Sequence, residues 1–161
     1  MRLSLCAMPP FGLTVHSQKF EEDETTLYSL STEYLEAATI LNSTAPTRFN
    51  YSIVTFYLVG HAAELLLKSF LYKKGMSIKE LRDKNKFGHD LAKLSTCARG
   101  KGLKPSVALK HISDLSVIYK DKQTEYRKYR KTGLVEFPPL DLLFEEVSTL
   151  QNHVFNHIAR F

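Results

Sequence analysis

The stretch Asn50–Gly75, NYSIVTFYLVGHAAELLLKSFLYKKG, decides how the rest of this chain must fold. Its first part is a long apolar run interrupted by only three strongly polar residues, His61, Glu64 and Lys68. At helical spacing Tyr57, His61, Glu64 and Lys68 fall at i, i+4, i+7 and i+11, on one stripe. Val54, Leu58, Ala62, Leu65, Leu66, Phe70 and Leu71 occupy the remaining faces. A helix apolar nearly all round is a central helix, contacted on several sides. Ionisable groups on such a helix are costly unless they pair with each other or face a cleft. Glu64 and Lys68 stand at i, i+4 in the favourable order, and His61 or an incoming His89 can join them. Such a network either ties the helix to the loop around Phe87–Asp90 or lines a catalytic cleft. In both readings, losing Glu64 leaves Lys68 unpaired.

Working outward, residues 1–22 lack periodicity and read as a tail, leaving 23–161 as one domain. The segment MRLSLCAMPPFGL is a poor signal peptide, because its apolar part is short, prolines follow it and no A-x-A site appears. Asp23–Thr25 can cap a first helix, with Glu21, Glu22 and Glu24 near its positive end. Leu27, Leu30, Tyr34, Ala37 and Leu41 form its apolar seam, and the stretch from Asn42 to Pro46 stops it. The central helix is expected to start around Thr47–Asn50 and to stop at Gly75. Ser77 caps a turn through Arg82, Gly88 breaks it, and Asp90 or His89 opens a second short helix with Leu91, Leu94 and Cys97. A further segment, Ser106 to about Lys131, places Ala108, Ile112, Leu115, Tyr119, Lys122, Tyr126 and Tyr129 at heptad spacing. After Pro138 and Pro139 a last helix carries Leu140, Leu143, Val147, Leu150, Val154 and Phe161. No alternating strand pattern appears. The expected fold is all-α: four principal helices packed as antiparallel pairs, with a short helical insert between the second and third.

Composition narrows the class of protein. With 161 residues, 43% of them hydrophobic and 24% charged, the chain suits one domain with a real core. Cys6 and Cys97 make neither a metal motif nor a disulfide framework, so the default compartment is a reducing cytoplasm. The net charge of +5 is unevenly spread. Between Lys68 and Lys131 there are 18 basic and 6 acidic residues, a local +12, whereas the rest has 4 and 11, a local −7. A basic middle flanked by acidic ends suits an anionic partner such as RNA, DNA or a nucleotide, or else is a solvated face. The apolar run is nearly long enough to cross a membrane, but His61 and Glu64 in its second half favour a buried helix.

Three stretches together, GHAAELLLKSFLYKKG (Gly60–Gly75), FGHDLAKL (Phe87–Leu94) and IYKDKQTEYRKYR (Ile118–Arg130), resemble the HEPN domain superfamily. The resemblance spans roughly residues 25–160 and implies an all-helical bundle of prokaryotic defence, toxin–antitoxin or RNA-processing systems. It also implies a homodimer, with RNA or a nucleotide as ligand and an antitoxin or other protein as partner. Many members are metal-independent ribonucleases marked by an Arg, a polar residue and, a few residues on, a His, in the later half of the bundle. Here the formal match is Arg82-Asp83 with His89, in the basic connection instead. Asn152 and His157 have suitable spacing near the C-terminus, but the guanidinium is missing. Other members lack the motif and are binding modules.

Cleavage of RNA without a metal needs a base for the 2′-hydroxyl and a cation for the charge developing on phosphate. His89 and Arg82 match those roles, with Asp83 to orient the imidazole; the alternative is that His89 only opens a helix. Lys68, Tyr126, Arg127 and Arg130 are the candidate nucleic-acid or nucleotide contacts, the last three interleaving rings and cations. His153 and His157 have no third ligand nearby in sequence, so neither a metal nor any other cofactor is expected. The sequence contains no P-loop, Rossmann fingerprint or nucleophile elbow. The competing reading is a non-catalytic interaction module in which His61, Glu64, Lys68 and His89 hold the fold together.

Overall fold

The apolar run becomes the axis of the molecule. A computed structural model describes residues 22–44, 52–120 and 136–159, which form six helices and, among the described residues, no strand. They are α1 (Glu24–Thr44), α2 (Ile53–Lys73), α3 (Ile78–Arg82), α4 (Leu91–Gly100), α5 (Lys110–Tyr119) and α6 (Leu140–Ile158). Helix α2 touches all five others. It is also the one described helix long and apolar enough to cross a membrane, yet 67% of that window is buried inside the fold, as in a core helix.

Local chemistry sets most of the boundaries. Asp23 Oδ1 accepts from Thr26 N at 2.7 Å and caps α1. Helix α2 begins later than the Thr47–Asn50 expected, because the Ser52 side chain accepts from Thr55 N and serves as its cap. Ser77 and Glu80 form a reciprocal capping box on α3, and Asp90, rather than His89, caps α4 through Lys93 N. Helix α5 is shorter at its start than expected. It begins at Lys110, and Ala108 is exposed ahead of it rather than on the seam. The stretch from 121 to 135, where that seam was expected to continue, lies outside the described residues, as does the expected N-terminal tail apart from Glu22. On α2 itself Val54 is half exposed, so the first turn is not covered all round.

Long-range contacts give the directions. Glu24, at the start of α1, meets Ser69 and Lys73, near the end of α2, so these two helices are antiparallel. Helices α4 and α5 are also antiparallel, since Ser116 late in α5 bonds Asp90 at the start of α4. Helix α6 is antiparallel to α1, since Tyr28 early in α1 meets Phe155 late in α6 and Gln151 bonds Thr32, and it runs parallel to α2. Phe137 ahead of α6 packs at a tilt against Phe56 early in α2, while His157 late in α6 meets Phe70 late in α2. Phe70, Leu66, Leu67, Leu71, Leu91, Leu94, Ile112, Leu115, Leu143 and Leu150 form the fully buried centre.

Candidate functional site

The predicted stripe on α2 is present, and it gathers residues from two further elements. Glu64 is 2% exposed, a position that an ionised carboxylate tolerates only with several donors. Lys68 Nζ donates to Oε1 at 2.5 Å. His89 Nδ1 at 3.0 Å and the Tyr119 hydroxyl at 2.8 Å both engage Oε2. Burial by itself raises the Glu64 pKa, but the hydrogen bond from His89 and the charge and hydrogen bond of Lys68 outweigh it and hold the group at about 2.

That ionisation fixes the direction of every hydrogen bond in the cluster. A carboxylate only accepts, so His89 Nδ1 and the Tyr119 hydroxyl both donate to Oε2. With its proton directed at Glu64, the Tyr119 oxygen accepts from His61 Nδ1, 2.9 Å away. Each neutral imidazole therefore has its proton on Nδ1 and its basic lone pair on Nε2. The His61 ring is further fixed edge-on to Tyr34, with centroids 4.4 Å apart, and stacked on Tyr57 at 5.9 Å.

Two glycines bring the outer members in. A Cβ at Gly60 would stand 2.8 Å from Tyr119 Cδ2 and 3.1 Å from Leu115 Cδ2, so only glycine lets α5 lie this close to α2. Gly88 has φ +53° and closes a turn in which the Asp83 carbonyl accepts from Lys86, Phe87 and Gly88 N–H groups. The turn delivers His89 to Glu64 from the start of α4, with its side chain 38% exposed.

A groove of about 560 Å³ is lined from Asp90, the residue after His89, and not by His89 itself. Lys86, Lys93 and Lys120 line it together with Phe87, Asp90 and Ser116. Asp90 stays ionised and offsets one of the three lysine charges. Burial opposes its ionisation, but Lys93 N–H, the Ser116 hydroxyl and the Lys120 charge keep its carboxyl below the usual range.

The expected site residues separate. Glu64, Lys68, His61 and His89 do meet in one network. The carboxylate on the His89 imidazole is that of Glu64, while Asp83 Oδ1 accepts from Asn85 N at 2.8 Å. Arg82 stands on the surface in an ion pair with Glu22, its side chain 64% exposed. Tyr126, Arg127 and Arg130 lie outside the described residues. Tyr119 is the member that pattern reading missed: it sits on an apolar seam, and only the glycine in the middle of α2 signals that something approaches there. Among the described residues no group of three or more His, Cys, Asp or Glu could hold a metal ion. Comparison with protein-family models, curated proteins and solved structures finds no match.

Proposed function

We propose that the protein is a HEPN-like helical domain that binds RNA along the Lys86–Lys93–Lys120 groove and cleaves it without a metal, with His89 as the base. The observation that carries this reading is the hydrogen bond from His89 Nδ1 to the buried, ionised Glu64. With the Nδ1 proton directed at Glu64, the role of base falls to Nε2 of a ring that is 38% exposed, one residue before Asp90 in the groove lining. In the reaction, His89 Nε2 takes the proton of the 2′-hydroxyl, the 2′-oxygen bonds to phosphorus to give a 2′,3′-cyclic phosphate, and the 5′-oxygen leaves as a hydroxyl with a proton from water. Lysines of the groove and Arg82 offset charge on the phosphoryl oxygens; the Arg82 ion pair is exposed, and such pairs are weak enough to exchange partners. Incubating labelled RNA in EDTA with wild type and with His89→Ala tests this. Cleavage that disappears in the folded variant supports the proposal; cleavage that persists removes His89 from the role of base.

A second reading rests on the saturation of Glu64. A carboxylate that receives donors from Lys68, His89 and Tyr119 at 2% exposure also fastens three segments together. On that reading the domain is an interaction module and His89 is a strut. A thermal-unfolding scan of His89→Ala separates the two: a strut predicts loss of the fold, a base predicts a near-native midpoint.

A further inference from the structure

A second cleft, of about 430 Å³, opens on another face of α2. Phe70 is six residues beyond Glu64, about 240° further round the helix axis, so this cleft and the Glu64 network do not share a face. Phe70 floors it, and Lys74, Lys104, His153, Asn156 and His157 supply its polar wall. These groups come from the end of α2, the loop between α4 and α5, and the last turns of α6. Lys74 Nζ lies 5.4 Å from the Phe70 ring centroid, and the His153 and His157 rings lie 6.1 and 5.1 Å from it.

The loop that brings Lys104 is held in place. The Arg99 guanidinium donates to the carbonyls of Leu103, Lys104 and Val107. Gly102, also in the wall, has φ +92° and turns the chain out of α4. Lys104 is thus presented by a braced loop rather than a loose one, a preorganisation that favours binding.

The donor set is one-sided. Among the described residues that line the cleft none is acidic, and no described carboxylate forms an ion pair with Lys74 or Lys104. Two ammonium groups, two imidazoles and an amide converge on a space within the ~300–1,000 Å³ range of small-molecule sites. Such a set matches a compact dianion with several acceptor oxygens. Lining from three segments around a space of this size suits a small molecule better than a polymer.

We propose that this cleft binds a small phosphate monoester, with the phosphate held by Lys74, Lys104, His153 and His157. The proposal is independent of the role given to His89. The test titrates the full chain with inorganic phosphate, ribose 5-phosphate and a nucleoside monophosphate. It follows the imidazole proton resonances, assigned with His153→Gln and His157→Gln. The expected result is saturable shifts of the His153 and His157 signals, with those of His89 and His111 unmoved. Lys74→Gln combined with Lys104→Gln weakens binding about tenfold or more, while the ligand-free unfolding midpoint stays put. His89→Ala leaves the titration unchanged, which keeps this result separate from the ribonuclease test. Two outcomes overturn the proposal: no saturation, or equal affinity in the double lysine variant.

Discussion

Two buried glutamates, Glu64 and Glu146, solve the same problem in different ways. Glu146 on α6 is 6% exposed and accepts from the backbone N–H groups of His111 and Ile112 at 2.9 and 3.1 Å, and from His111 Nδ1 at 2.8 Å. It supplies from another helix the cap that Leu109, at the N-cap of α5, lacks. Its donors are mostly main chain, fixed once α5 forms. Glu64 instead receives side chains from its own helix, from the turn before α4 and from the end of α5. A carboxylate that serves a helix start needs nothing further. One that orders a lysine, a tyrosine and a half-exposed imidazole has the arrangement that the proposed ribonuclease needs, and that difference is the basis for proposing function at Glu64.

The contrast breaks most visibly when the charge is removed. Glu64→Ala leaves Lys68, itself only 12% exposed, without its partner and should cost about 3 kcal/mol in urea unfolding. Glu64 also makes stability depend on acid. Its folded pKa is lowered from 4.5 to about 2, so its contribution is complete above about pH 4.5 and is lost as pH falls through about 2. Unfolding midpoints of wild type should therefore drop across that window, and Glu64→Gln should flatten this part of the profile.

Gly60→Ala comes next, at about 2 kcal/mol, because the new methyl group overlaps the Tyr119 ring and pushes α5 off α2. Glu146→Ala should follow at about 1–2 kcal/mol, the cost of an uncapped, partly buried helix start. Circular dichroism melts of the two variants rank them. His89→Ala should be mildest, below about 1 kcal/mol, since its ring is half exposed and Glu64 keeps Lys68 and Tyr119.

Much of the fold was legible because local signals agreed with burial. Asp23, Ser77 and Asp90 capped as their side chains dictate, and the α2 stripe carried Glu64, Lys68 and His61 to one network. What sequence spacing cannot register is the partner of a polar group across helices. Asp83 is closer to His89 in the chain than Glu64 is, yet its side chain serves its own turn, while Glu64 reaches the imidazole from another helix. Glu146 was equally hidden, since nothing in its own helix indicates that Leu109 fails as a cap.

The most direct measurement is cleavage of labelled RNA in EDTA by wild type, His89→Ala and Glu64→Gln, each first shown to be folded. The account predicts a metal-independent activity that is abolished in His89→Ala and strongly reduced in Glu64→Gln, where the imidazole loses the carboxylate that holds its Nδ1 proton. Cleavage undiminished in His89→Ala, or no cleavage by wild type under any condition that preserves its fold, would contradict it.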